Sequence, residues 1–414
     1  MHLCHVYDHI AIARWTVSEA RALLHDRQSM THFVCLERET GDDVLRPLRV
    51  DQISDFVRFV QRTQSSDSSK SIVVCVGQNC KSSLTTAALL VGGFLILGRG
   101  VDLDDVVASF RPVQDSFVNF RDESDNSRFS LRDCWMALSE ARLQGWIDLS
   151  NKIRPHMDCL DYGIFDIDAY AHYAKMANGS MFPVVPGKIV MFPSPVDLPA
   201  DVEWIDSADG KHRHFSAAYY AELLKCDFNV SVVACVDSGK DDWPAFAEHG
   251  LAVEPLPLDG SCPGLLRALD RLLALTQGGG GSVALHSGAD AAGWRAGALV
   301  AAYLVRRLGF PPDAAIAWIR MVDRSLLLGR SDSDCDALGW ADPDPLTRSA
   351  SFSYPKPRAA AETAAAPAVS PAPTRTVAAP RGTGRRLRRA ASWASVPAAV
   401  PALVGGPRRG SLEE

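Results

Sequence analysis

A hydroxyl, an imidazole and a guanidinium fall within ten residues of one another in the run His286-Ser287-Gly288-Ala289-Asp290-Ala291-Ala292-Gly293-Trp294-Arg295-Ala296-Gly297. The run follows the β-branched segment Ser282-Val283-Ala284-Leu285 and leads into an apolar helical stretch, Arg295 to Leu308. A loop between a strand end and a helix start is where α/β sheets bind ligands, because the first helical N–H groups and the helix dipole favour an anion. Arg295 can add a cation there, or serve only as a solvated residue of the first helical turn. Ser287 needs an adjacent base before its hydroxyl can act as a nucleophile. His286 precedes it directly, and successive strand residues point to opposite faces, so His286 reads as a packed core histidine and not as that base.

Two further candidates lie outside this loop. Asp259 precedes Gly260, a pair that also suits a simple turn. Cys75 stands six residues before Lys81 and so mimics a nucleophile and its cation, although burial as a structural thiol is the plainer reading.

These candidates require strands that end at a common edge, and an internal repeat supplies them. Ser71-Ile72-Val73-Val74-Cys75-Val76-Gly77 has the shape of Ser282 to Gly288, and each leads through a polar loop into an apolar helix. Ser71/Ser282, Gly77/Gly288, Leu97/Leu308, Gly98/Gly309 and Asp102/Asp313 share one offset, 211, with the two aspartates placed as helix caps. That offset sets Cys75 opposite His286, so the two loops are out of register. Further strands are expected over Asn229–Cys235 and Leu251–Leu258, with an amphipathic helix over Pro263–Leu275. Alternating strands and helices predict an α/β fold with mostly parallel sheets flanked by helices.

Composition narrows the function classes. The 414 residues are 47% hydrophobic and 22% charged, with a net charge of −6, which excludes a fibrous or wholly disordered protein. The longest apolar run, Ala87 to Gly98, is shorter than the ~20 residues of a membrane span, and the N-terminus has no signal-peptide pattern. No membrane association, metal or cofactor is expected: the 10 cysteines include no Cys-x-x-Cys pair and no zinc-spaced histidines. An intracellular protein, nuclear or cytoplasmic, follows. Residues from Ser349 onward carry +7 and are rich in Ala, Pro and Arg, so a disordered basic tail is expected on a body of −13. Its Arg385-Arg386-Leu387-Arg388-Arg389 cluster suits nuclear import, contact with nucleic acid or an acidic partner, or a basophilic kinase acting on Ser392; a solvated basic linker is the bland alternative, and nucleic acid is expected nowhere else on the chain.

The loop at 286–297 resembles, in altered form, the phosphate loop of phosphatases that use a cysteinyl-phosphate: His-Cys at a strand end, five residues, then an Arg that begins a helix. The resemblance extends through Val6–Arg14, Asn119-Phe120-Arg121-Asp122, Asp133–Trp146, Phe165–Tyr173, Asn178-Gly179, Pro186-Gly187-Lys188, Leu258-Asp259-Gly260-Ser261 and Ala315–Arg320. In this order they are similar to the mitotic-exit, or cell-division-cycle-fourteen, dual-specificity phosphatases over roughly residues 5 to 330. The resemblance implies two tandem phosphatase-like domains: a non-catalytic one over 1–160, a linking helix over 161–180 and a catalytic-type one over 181–345, before the tail at 346–414. It makes Ser287 the nucleophile position, Asp259 the general-acid position, Arg295 the phosphate-binding position, and His286, Gly288, Gly293 and Gly297 the phosphate loop.

Departures from the family pattern bear directly on activity. A serine replaces the cysteine, and an alcohol ionises far less than a thiol of reference pKa ~8.5. Arg295 stands eight residues after Ser287 where the family has six, which predicts an enlarged loop, and Asp290 adds a charge that repels phosphate. The stretch Leu328-Gly329-Arg330-Ser331 lacks the family's glutamine, and Ala169, Ala171, Ala174 and Lys175 stand where the linking helix is usually acidic. The expectation is a pseudophosphatase that binds phosphoproteins or the partners of an active relative. An active divergent phosphatase acting on phosphorylated Ser, Thr or Tyr is the alternative, and a scaffold driven by the tail is a third reading.

Overall fold

A computed structural model describes residues 2–15, 31–36, 45–66, 70–121, 128–150, 163–199, 202–207, 213–236, 244–256, 258, 261–278, 281–287 and 293–323. All of these lie in one contact unit, Met1–Ala341. The expected tail, with Arg385 to Arg389 and Ser392, lies outside the described residues.

The chain builds two sheets. The first contains β1 (His2–Tyr7), β2 (Ile10–Trp15), β3 (Thr31–Leu36) and β4 (Ser71–Gly77), in the order β1-β2-β4-β3. β1 and β2 form an antiparallel hairpin, while β2 and β3 both run parallel to β4. Ile72 to Val76 are all buried, as expected of a strand covered on both faces: successive residues are apolar instead of alternating. Helix α1 (Val50–Ser66) turns Val50, Ile53, Val57 and Val60 into the core at helical spacing. Helix α2 (Lys81–Gly93) follows β4 and continues as a π-helical turn, Phe94–Arg99.

Lys81–Arg99 together make one helix long and apolar enough to cross a membrane, although 83% of its apolar window is buried inside the protein, against β4, α1 and the later helix Leu131–Leu143. The apolar run 87–98 had suggested a shorter element. The helix is longer because Lys81 to Thr86, too polar to extend that run, still form its first turns.

Helix α3 (Leu103–Ser109), the ribbon of β5 (Phe120–Arg121) and β6 (Arg128–Phe129), and helix α4 (Leu131–Leu143) complete this half. α4 starts on a capping box in which Ser130 and Asp133 satisfy each other's backbone N–H. Helix α5 (Ile167–Tyr173), capped by the Asp166 carboxylate, then leads to the second half.

The second sheet contains β7 (Phe182–Val185), β8 (Ile189–Pro193), β11 (Val230–Cys235), β12 (Ala252–Pro255) and β13 (Ser282–Ser287), in the order β12-β11-β13-β8-β7; β9 (Trp204–Asp206) and β10 (Arg213–Phe215) form a separate ribbon. β12, β11, β13 and β8 are parallel and β7 is antiparallel, so the protein is mixed α/β. Helices α6 (Ala217–Cys226), α7 (Pro244–Glu248), α8 (Cys262–Gln277), α9 (Gly293–Leu308) and α10 (Pro312–Val322) alternate with these strands.

β4 and β13 are the repeated strands, and each feeds a long buried helix. Their starts keep the offset of 211, but the helix stops do not. Gly100 (φ 71), not Gly98, ends the first helix, whereas Gly309 (φ 75) ends the second. Gly98 is buried inside the π turn, whose wider winding takes up extra residues before the stop. Asp102 occupies the cap position of α3 without a side-chain capping bond. Asp313 is not a cap at all: Pro311 holds that position and Asp313 lies in the first turn of α10, because Pro312 is pre-shaped for a helix start.

One hydrophobic core joins the halves. α4 packs on α10, and Trp146 stacks with Phe310 (5.6 Å between centroids) and Trp318 (5.4 Å). Trp318 donates its indole N–H to Val184 O at 2.9 Å, and Tyr170 its hydroxyl to Val322 O at 2.6 Å. A second core, with Phe192, Phe215, Tyr220 and Phe246, covers the other face of the second sheet.

Candidate functional site

β13 lies in the middle of its sheet, with Cys235 of β11 opposite His286 on one side and Phe192 of β8 on the other. Ser287 is its last residue and pairs with Pro193. The strand therefore delivers Ser287 to the carboxyl edge of a parallel sheet, the edge at which α/β proteins bind ligands.

His286 turns into the second core and is 2% exposed, with its ring 5.7 Å from that of Phe192. Burial lowers its pKa to about 4, because the apolar surroundings penalise the imidazolium. A neutral, packed histidine is thus what the strand alternation predicted.

α9 opens at Gly293, six positions after Ser287. Strand end and helix start are therefore six positions apart, while the loop between them, 288–292, on which the expected enlargement falls, lies outside the described residues. Arg295 is the third residue of α9, two positions or ~200° of helical rotation beyond the residue that opens the helix. Gly293 sits in the first turn of α9, and Gly297 is buried one turn further on, in a helix whose residues from Ala296 to Leu304 are buried. Asp259, Gly260, Gly288 and Asp290 lie outside the described residues, as does the stretch 328–331.

Cys75 is 5% exposed, and its Sγ lies 3.7 Å from Val73 O, a buried thiol as the plainer reading expects. Cys80, which the sequence reading passed over, caps α2 instead: its Sγ accepts the Ser83 N–H at 3.3 Å. On α5, Asp168 is bound by Arg58 of α1 at 2.7 Å, while His172 has a pKa lowered by burial and by Lys175. A polar depression of about 470 Å³, lined by residues that include Asp8, His9, Gln64 and Arg99, opens on the first half, beside the β1–β2 turn and not beside β13.

Residues 26–141 match the family described as "Dual specificity protein phosphatase, N-terminal half". The chain is 27% identical over 266 residues to the dual specificity protein phosphatase CDC14C of Homo sapiens, which covers 63% of this chain and 54% of that protein. It is 26% identical over 264 residues to CDC14C of Symphalangus syndactylus, covering 63% of this chain and 50% of that one. The chain thus spans about half the length of the curated relatives it matches. Among solved structures it is similar to PTPMT1, at 16% identity and a TM-score of 0.28, covering 38% of this chain and 90% of that one.

By the match over residues 26–141 the chain is similar to the dual-specificity protein phosphatases. Its relatives, at 26–27% identity, make it similar within that class to the CDC14 proteins.

Proposed function

We propose that the chain is a pseudophosphatase: two tandem phosphatase-like halves that bind phosphoproteins, or the partners of an active relative, without hydrolysing them. In this reading the halves meet at the linking segment 161–180, the second carries the binding loop, and the protein works inside the cell. The observation that carries it is which residues end β13 and open α9, Ser287 and Gly293. Where the family has a cysteine at the strand end and an arginine opening the helix, this chain has a serine and a glycine. The first substitution removes the thiolate, and the second removes the cation from the place where it neutralises the transferring phosphoryl group. Backbone N–H groups at the start of the 16-residue helix α9 remain, and they suit an anion without requiring either side chain.

The test is a single-turnover assay on phosphopeptides beside Ser287→Cys and Asp259→Asn variants, with phosphopeptide binding measured in parallel. Binding without phosphate release is the expected result. Release by the unmodified protein that disappears in Asp259→Asn would make the chain an active phosphatase with a different nucleophile.

A further inference from the structure

The depression on the first half is built from three elements that the chain brings together from far apart. The β1–β2 turn supplies Asp8 and His9, the last turns of α1 supply Gln61 and Gln64, and the π turn ends on Arg99; Ser150 completes the wall. Hydrogen bonds within the protein fix each side. Ile72 donates its N–H to His9 O at 2.7 Å and ties the turn to β4. Gln61 donates a side-chain N–H to Leu149 O, and Leu149 donates its own N–H to Leu97 O at 3.0 Å, so the segment carrying Ser150 is pinned to α1 and to the π turn. The Arg99 guanidinium lies 5.5 Å from the centre of the Phe94 ring and donates to Gln64 Oε1 at 2.8 Å.

Asp8 and Arg99 line the same cavity, yet neither forms an ion pair, with the other or with any other of the described residues. The two amides divide along the same line. Gln61 has an N–H committed to Leu149 and keeps its carbonyl oxygen, whereas Gln64 has its oxygen committed to Arg99 and keeps its N–H groups. The wall therefore offers acceptors at Asp8 and Gln61, and donors at Arg99 and Gln64. A phosphate dianion gains from Arg99 but is repelled by Asp8. One carboxylate among the described wall residues is too few for calcium or magnesium, which take ~6 oxygens. An apolar molecule would cover these groups and leave them unpaired. A zwitterion answers both charges at once, its ammonium donating to Asp8 and Gln61 and its carboxylate accepting from Arg99 and Gln64. The volume, about 470 Å³, falls within the ~300–1,000 Å³ of small-molecule sites.

We propose that this depression binds a free amino acid through its ammonium and carboxylate groups, with Ser150 and His9 left to hydrogen-bond a polar side chain. The site is separate from β13 and does not depend on the phosphoprotein-binding reading above.

Saturation-transfer NMR titrations on the full chain test it with L-glutamine and L-serine, with N-acetyl-L-glutamine, which lacks the ammonium, and with L-glutamine α-amide, which lacks the carboxylate. At least one of the two free amino acids should bind, and either blocked form of glutamine should bind about tenfold more weakly than glutamine itself. Asp8→Asn should weaken L-glutamine about tenfold and leave N-acetyl-L-glutamine unchanged; Arg99→Gln should do the same for L-glutamine and spare the α-amide. Asparagine suits the left-handed backbone at position 8 (φ 38), so an unchanged melting temperature of Asp8→Asn separates lost binding from lost folding. Absence of binding by both amino acids, equal binding of the free and blocked forms, or undiminished binding by Asp8→Asn would each overturn the proposal. Tighter binding of myo-inositol than of either amino acid would give the site to a neutral polyol and also overturn it. Each of these outcomes leaves phosphopeptide binding, measured on the same samples, as a separate result.

Discussion

Gly293, and not Arg295, opens the helix that follows Ser287, six positions after it, and Arg295 is the third residue of that helix. The pseudophosphatase reading then involves two separable changes, the serine at the strand end and the glycine at the helix start, which leads to the first prediction.

Ser287→Cys alone should form no covalent phosphoenzyme and release no phosphate above background. Adding Gly293→Arg should raise trapping of a cysteinyl-phosphate at least tenfold over the single variant, read by rapid quench and mass spectrometry. The substitution is tolerable at a helix start, where arginine has better helix propensity than glycine. Turnover by Ser287→Cys alone would mean that Arg295 reaches the phosphate from where it is.

The buried His286 makes stability depend on pH. Its folded pKa, about 4, lies below the unfolded value near 6.5, so the neutral form is the one the fold holds. The contribution is complete above about 6.5 and is lost as the pH falls towards 4, because the unfolded chain takes up a proton that the native chain refuses; one pKa unit corresponds to ~1.4 kcal/mol. His286→Phe should flatten the dependence of unfolding free energy on pH in that window, measured by urea denaturation at pH 4.5 and 7. An unchanged slope would place the imidazole in water.

Trp318 holds the halves together from a fully buried position between Trp146, Phe165 and the Val184 carbonyl. Trp318→Ala should cost about 3–5 kcal/mol and lower the stability of both sheets together, since large-to-small changes in a shared core are felt on each side of it. Hydrogen exchange resolved to β4 and β13 checks this. Loss of protection in β13 alone would show that the halves fold independently.

Gly92 lies in the middle of α2, where helix propensity alone favours alanine by ~1 kcal/mol. A methyl group there would overlap the Trp135 indole, which is itself 3% exposed and has Phe110 at 4.8 Å. Gly92→Ala should therefore destabilise by about 1–3 kcal/mol, the usual cost of overpacking, as a lowered denaturation midpoint. A raised midpoint would mean that the indole can move aside.

Much of this protein is legible without coordinates. The β-branched runs at 71–77 and 282–287 read as buried strands, because all but His286 are apolar or small, and of the two glycines read as helix stops Gly309 is one and Gly98 is not. Strand alternation alone assigned His286 to the core. The replacement of a thiol by a hydroxyl at position 287 is chemistry readable from one letter.

What required the tertiary structure depended on residues far apart in the chain. The start of a helix is a balance of backbone bonding and packing, so the sequence pattern placed the first turn of α9 at Arg295 and the structure places it at Gly293. The π turn that shifts the repeat from Gly98 to Gly100 is set by how α2 packs on α1, α4 and β4. The single core shared by the halves arises from Trp146, Phe165, Phe310 and Trp318, whose partners lie up to 172 positions away. Local propensity is written residue by residue; the free energy of burying a side chain against a distant one is not, and it appears only once the chain has folded.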